Sequence, residues 1–171
     1  MSKKIITFDL SESGIERAIK ELKEYKNELD KKCEELRRRV AERIESKAQP
    51  GFNGAIVDDV LKGARSAHVY VSVKDEGDVT LVIAYGNDAV WVEFGAGVYH
   101  NGAVGSSPNP YGSELGFTIG SYGTNGARDI WGFYENGELV LTHGTPAAMP
   151  LFHAVQDTID EIPSIAKEVF G

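Results

Sequence analysis

Residues 13–51 read SGIERAIKELKEYKNELDKKCEELRRRVAERIESKAQPG. Within them Ile15, Ala18, Ile19, Leu22, Leu29, Cys33, Leu36, Val40 and Ile44 recur at three and four residues, the period of one helix face. Ser13 and Glu16 have capping-box spacing, so a helix is expected over 13–48, with Pro50-Gly51 ending the run. Glu16 to Lys20, Glu28 to Lys32, Glu34 to Arg38 and Glu35 to Arg39 are favourably ordered pairs four apart, each contributing ~0.3 kcal/mol. About 35 residues at 1.5 Å each make a rod roughly 50 Å long, longer than a domain of this size is wide. Part of its apolar stripe is therefore expected to pack on a neighbouring subunit.

Downstream, Gly54 to Lys62 places Ile56, Val57, Val60 and Leu61 at helical spacing and predicts a second, short helix. Val69, Val71 and Val73 alternate with Tyr70 and Ser72, the turn cluster Asp75-Glu76-Gly77-Asp78 follows, and Val79 to Tyr85 is a β-branched run, so a hairpin is expected. From Asn87 or Asp88 through Trp91 and Phe94 to Gly95, a turn or two of helix and a short strand both remain open. Trp131 to Tyr134, Asn136-Gly137 and Leu139 to Thr142 predict a second hairpin, because Asn-Gly is the preferred two-residue turn. From Pro150 the residues Leu151, Ala154, Val155, Thr158, Ile159, Ile162, Ala166 and Val169 predict a closing helix over 150–170, kinked at Pro163. The expected fold class is α+β in a single domain: a long N-terminal helix, a small antiparallel sheet of about four strands and a C-terminal helix packed on the sheet.

Between these elements, residues 95–127 hold nine of the nineteen glycines and no sustained hydrophobic period. A loop of that length is functional or mobile, and Tyr99, Tyr111 and Tyr122 give it contact groups, so it is expected to act as a flap that orders on a partner.

The chain has 171 residues, 42% of them hydrophobic and 26% charged, which suits a folded single domain and excludes the disordered regime. One cysteine, Cys33, rules out an intrachain disulfide and the cysteine clusters of structural zinc. The N-terminal apolar run is too short for a signal peptide and no segment is long enough for a membrane span, so synthesis in a reducing cytoplasm and no membrane partner are expected. Net charge is −8, unevenly spread: residues 13–48 hold eleven Lys and Arg against nine Asp and Glu, and residues 49–171 hold five against fifteen. An acidic body argues against tight nucleic-acid binding, because phosphate contacts need a basic footprint.

Candidate chemistry is sparse. His68, His100, His143 and His153 lack Cys, His or Asp partners at metal-ligand spacing, so no metal and no cofactor is expected. Ser106 or Ser107 with His143 and Asp129 could make a triad on paper, but no nucleophile elbow surrounds either serine. Gly116, Gly120, Gly123 and Gly126 do not follow a strand that opens into a helix, as a phosphate cradle requires. Asp58-Asp59, Asp75 with Asp78, and Asp160-Glu161 fall where acids cap and solvate turns. Arg37-Arg38-Arg39 sits among Glu34, Glu35, Glu42 and Glu45, as a salt-bridged helix face does. No catalytic residue is assigned.

Two further stretches are more informative. Tyr85-Gly86-Asn87-Asp88-Ala89-Val90-Trp91-Val92-Glu93-Phe94-Gly95-Ala96 is followed much later by Gly144-Thr145-Pro146-Ala147-Ala148-Met149-Pro150-Leu151-Phe152-His153-Ala154. In order and spacing they resemble the tail-component or head-to-tail joining family of long-tailed double-stranded DNA bacteriophages. There an aromatic-Val-Glu-Phe-Gly-Thr element ends one segment and a small-residue-Pro-aromatic-Ala element opens the C-terminal helix. Pro50 and Asn53-Gly54-Ala55-Ile56 match the Pro and Asn-Gly that follow the long charged helix in such proteins. The chain departs from the pattern at Ala96, where Thr is usual, at Pro150-Leu151-Phe152 in place of Pro-Phe, and in the length of the loop.

The resemblance implies a structural virion protein of the neck or tail, made in the host bacterial cytoplasm. Head-to-tail joining or tail completion is the implied role, and the same fold also serves tail termination in contractile tails and phage-tail-like bacteriocins. It implies a homo-oligomeric ring of six or twelve subunits between connector and tail tube, with at most transient passage of DNA through the lumen. Trp91, Phe94 and Phe152 are then expected as core or subunit-interface anchors. Glu93 is expected to accept backbone hydrogen bonds around Gly95, with Pro150 opening the last helix. Two other classes stay open, a small hydrolase and a standalone binding module. The first needs convergent pKa-shifted residues in a pocket, and the second needs a protein that stays monomeric or dimeric.

Overall fold

The computed structural model describes residues 5–97, 107–112, 114–115 and 130–171, without the side chain of Trp131. The first helix is longer at both ends than its periodicity predicts: α1 spans Glu12–Gly54, 43 residues or roughly 65 Å. Ser11 rather than Ser13 caps it, its Oγ accepting the Gly14 N–H at 3.1 Å. Pro50 lies inside the helix instead of ending it. It leaves the Ser46 carbonyl without its i+4 donor. The next turn persists because Phe52 is fully buried and the Ala55 N–H closes on the Phe52 carbonyl at 3.1 Å. Core packing outweighs one lost hydrogen bond.

The short helix expected over 54–62 does not form. Instead β1 (Ile56–Val57) pairs antiparallel with β2 (Arg65–Ser66). Asp59 turns the chain between them, its carboxylate accepting the Leu61 and Lys62 N–H groups at 2.9 and 3.0 Å. Both expected hairpins are present: β3 (Tyr70–Glu76) with β4 (Val79–Tyr85), and β6 (Trp131–Glu135) with β7 (Glu138–Thr142). Asn136 and Gly137, at φ 52° and 83°, make the turn that Asn-Gly announces. Residues 89–94, open between helix and strand in the sequence, form α2 (Ala89–Phe94), and the next two residues form β5 (Ala96–Gly97), paired with β8 (Gly144–Thr145). The strands described thus associate in four antiparallel pairs, not as one continuous sheet.

The C-terminal segment breaks at Asp160-Glu161 into α3 (Pro150–Ile159) and α4 (Ile162–Phe170), so Pro163 sits in the first turn of a new helix where its missing N–H costs nothing. These helices lie chiefly along α1 rather than on a sheet face. Ion pairs from Arg43 and Lys47 to Glu161, at 2.6 and 2.7 Å, and from Arg39 to Glu168 at 3.3 Å line the seam. The core is small and rich in alanine: Ala48, Phe52, Ala55, Ala67, Val69, Val71, Ala89, Val92 and Ala154.

Gln49 explains how α1 holds the first hairpin. Its amide donates to the Val69 carbonyl at 3.0 Å and accepts the Val71 N–H at 2.7 Å, as a neighbouring strand would, so the outer edge of β3 is covered at its start. By contrast, β4 has no partner on its other edge among the described residues. Among the described residues, no helix is long and apolar enough to cross a membrane.

Candidate functional site: the junction of residues 91–97 with 144–152

Helix α3 begins without a cap of its own. Met149, at the N-cap position, carries no side-chain oxygen and stands in the left-handed region at φ 51°. Pro150 has no N–H to satisfy, and His153 N–H returns to the Met149 carbonyl at 3.0 Å. That leaves the Leu151 and Phe152 N–H groups, which point at Glu93 on α2: Oε2 accepts from Leu151 at 2.9 Å and Oε1 from Phe152 at 3.0 Å. A carboxylate supplied from 58 residues away therefore serves as the helix cap, in the place where the helix dipole favours negative charge. Burial still pushes the Glu93 carboxyl above its ordinary range, against the pull of these backbone donors, of His153 and of Asn109.

The backbones join as well. Val92 carbonyl accepts from Ala148 at 2.8 Å and from Met149 at 3.3 Å, and β5 lies antiparallel to β8. Such close approach needs residues without a side chain. Gly144 sits at φ 113°, and a Cβ there would collide with the Ala96 carbonyl oxygen. Gly95, at φ 79°, ends α2, donates its N–H to Trp91 carbonyl at 2.7 Å, and would place a Cβ 3.1 Å from that of Ala147.

Part of the glycine-rich segment is anchored here. Ser107 Oγ donates to the Phe94 carbonyl at 2.6 Å, and the Asn109 amide donates to Glu93 Oε1 at 3.1 Å. Asn109 also turns the chain by accepting the Tyr111 N–H at 3.0 Å. Residues 107–112 thus belong to the folded body; the rest of the flap expected over 95–127, apart from residues 95–97, 114 and 115, lies outside the described residues.

Two hollows flank the junction. An apolar groove of about 440 Å³ runs between β4 and α3, walled by Val82, Val90, Phe94, Tyr111, Phe152 and Val155. Its one carboxylate, Glu93, is engaged as above. A more polar cleft of about 660 Å³ opens between Trp91, the turn after β1 and the second hairpin. Its charges are mostly paired. Asp88 grips Arg65 in a two-point ion pair at 2.7 and 3.0 Å and accepts the His68 N–H at 2.8 Å. Burial alone would raise the Asp88 carboxyl, but these bonds hold it below its ordinary value. Asp58 meets the His143 backbone N–H at 2.7 Å and Nδ1 at 3.0 Å, and Thr142 Oγ1 at 3.2 Å. There too the hydrogen bonds outweigh burial and lower the pKa. Lys62 pairs with Glu138.

Of the residues singled out in the sequence, Glu93, Gly95, Pro150 and Phe152 come together at the junction. Glu93 accepts from Leu151 and Phe152, and not from the backbone around Gly95 as expected. Pro150 is buried, close against Gly51 of α1. Trp91 and Phe94 are half-buried walls of the two hollows, and Phe152 stands edge-on to Tyr111 at 6.2 Å; the fully buried residue of this helix is Val92. The paper triad is not assembled: His143 faces Asp58, Ser107 is engaged with Phe94 and Asn109, and Ser106 and Asp129 lie outside the described residues. His100 lies outside them too, and among the described residues no His, Cys, Asp and Glu group could hold a metal ion. Arg38 and Arg39 are bound to Glu35, and Arg37 reaches the Gly77 carbonyl at 3.2 Å.

Sequence reasoning missed Gln49, Arg65 and Asn109, and it named Asp58 and Ser107 only in other roles, as a turn acid and a triad serine. Nothing in the local sequence names Phe94 or Glu93 as partners of Ser107 and Asn109. No family model, curated protein or solved structure matches the chain.

Proposed function

We propose that the chain is a structural neck or tail protein of a long-tailed double-stranded DNA bacteriophage, a head-to-tail joining or tail-completion subunit that works by forming a ring between connector and tail tube. One observation supports this reading above others. The two sequence elements that resemble the joining family, residues 85–96 and 144–154, meet in one junction through Glu93 and the Val92 carbonyl. Shared motifs that lie apart in sequence and interlock in space are what a common fold requires. Joining is then an assembly property: each subunit offers two different complementary surfaces, and head-to-tail contacts close into a ring. The acidic body, five Lys and Arg against fifteen Asp and Glu over residues 49–171, would line a lumen past which DNA slides without adhering.

The experiment is to add the purified chain to phage heads and tails that lack their joining protein and to score infectious particles. Recovery of infectivity, with rings visible at the neck in negative stain, is the expected result. No recovery and no binding to either partner would contradict the role. A hydrolase would have to run through the Asp58–His143 pair in the cleft, and His143→Ala should leave joining unchanged.

A further inference from the structure

More than half of α1, residues 12–36, leaves the body. Among the described residues, no hydrogen bond or ion pair joins residues 12–36 to the rest of the fold beyond the segment just before the helix; Arg37, at the tip of the first hairpin, is the first to do so. On this arm Ile15, Ile19 and Leu22 are 41, 47 and 55% exposed. Their spacing of i, i+4 and i+7 is the anchor pattern by which a helix fills an apolar groove. The groove between β4 and α3 is apolar, about 440 Å³, and bordered by a strand with an open edge.

We propose that the α1 arm of one copy seats in the β4–α3 groove of a second copy of this chain, with Ile15, Ile19 and Leu22 as its anchors. This deepens the functional reading and rests on its self-assembly part. Reach excludes the chain's own arm. Leu151 in the groove wall packs on the cluster that contains Ala48 and Phe52. Ile19 lies 29 residues up the same helix from Ala48, a separation of about 44 Å along a rigid rod. Charge permits a second copy. The body of a neighbour is strongly acidic, whereas residues 12–33 hold six Lys and Arg against six Asp and Glu, so the arm approaches without repulsion. The groove's one carboxylate is already satisfied, and the anchors carry no charge. The arm is also helical before contact, so little conformational freedom is lost on docking. Because arm and groove are different surfaces, each copy can give one and receive one, the arrangement that builds a ring.

The test uses the full chain with Cys33→Ser, one batch carrying Leu22→Cys and a second carrying Val155→Cys, mixed and mildly oxidised. A covalent heterodimer of the two, well above either homodimer, is expected, since only facing cysteines can be bridged. A chain with both changes should give a ladder ending at the ring. Ile19→Asp with Leu22→Asp should keep the circular dichroism of the parent yet weaken self-association by at least about a hundredfold. Assembly that persists with no 22–155 link would overturn the contact while leaving the ring reading intact, and that is also how occupation of the groove by residues 116–129 of the same chain would show itself. A dominant 22–22 link would mean that arms pair with each other, and a Phe8→Cys link to Val155→Cys in its place would assign the groove to the extended N-terminal segment; either overturns the proposal. A chain that is monomeric at every concentration would remove both the contact and the self-assembly on which it rests.

Discussion

The junction and the arm handle hydrophobic and polar groups in opposite ways. At the junction a buried carboxylate caps a helix start and holds an asparagine amide, beside two glycine-dependent backbone approaches. Along the arm, isoleucines and leucine face water, and the polar contacts are local ion pairs such as Lys32 with Glu28 at 3.8 Å and Arg17 with Asp9 at 4.0 Å. Buried polar groups are costly to disturb because each partner left behind is stripped of water and unpaired. Exposed apolar groups cost little in the isolated chain and matter when a partner arrives. The contrast places stability at the junction and, under the assembly proposed above, association at the arm.

The most damaging change should be Glu93→Ala. It strands the Leu151 and Phe152 N–H groups and the Asn109 amide, and should cost about 3 kcal/mol in urea unfolding. A loss below about 1 kcal/mol would mean that water replaces the carboxylate and that the junction is not a buried network. Next, Gly144→Ala forces a side chain into a left-handed position against the Ala96 carbonyl and should cost about 2 kcal/mol. A thermal midpoint equal to that of the parent would show β5 and β8 able to separate freely.

Glu93→Gln sharpens the contrast through pH. The folded-state pKa of Glu93 is raised, so its protonated form contributes stability at low pH that is lost as pH rises through that value. Glutamine does not titrate. The stability gap between parent and variant, about 1 kcal/mol in acid, should therefore narrow towards neutrality. A gap that widens instead would place the burial effect below the pull of the backbone donors.

The seam between α1 and α4 offers a surface counterpart. Arg43 and Lys47 hold the Glu161 carboxyl down at about 2, from an ordinary 4.5. The sign is opposite: Glu161 contributes above its unfolded value and that contribution fades as pH falls towards 2. The deficit of Glu161→Gln should be present at pH 7 and gone in strong acid, and small throughout because the pair is exposed. The smallest effect on folding should come from Ile19→Ser on the arm, within about 0.5 kcal/mol of the parent. A larger loss would show that the arm is packed within its own chain.

Much of the fold could be read along the chain, and the reasons for the failures are physical. The α1 stripe, the first hairpin and the Asn136-Gly137 turn are local patterns, and each stands where its period places it. Ser13 yielded to Ser11 as cap because both residues suit the role and only the position of Asp9 and Gly14 decides between them. Pro50 failed as a stop because the burial of Phe52, a tertiary effect, outweighs a local one. Val57 had helical spacing, but the Asp59 turn diverted it into a strand. At the site, Glu93 and Pro150 were visible as types, whereas their partnership was not. Nothing in a sequence says that a helix without its own cap will borrow a carboxylate from a helix 58 residues earlier. Arg65 with Asp88 and Gln49 with β3 were hidden for the same reason.

The most direct test of the account is the mass of the purified full chain in solution by light scattering, over a wide concentration range, with negative stain of any large species. A discrete closed assembly of six or twelve subunits, lost in the Ile19→Asp, Leu22→Asp variant and retained in His143→Ala, is the predicted result. A chain that stays monomeric at every concentration and binds neither heads nor tails would contradict it.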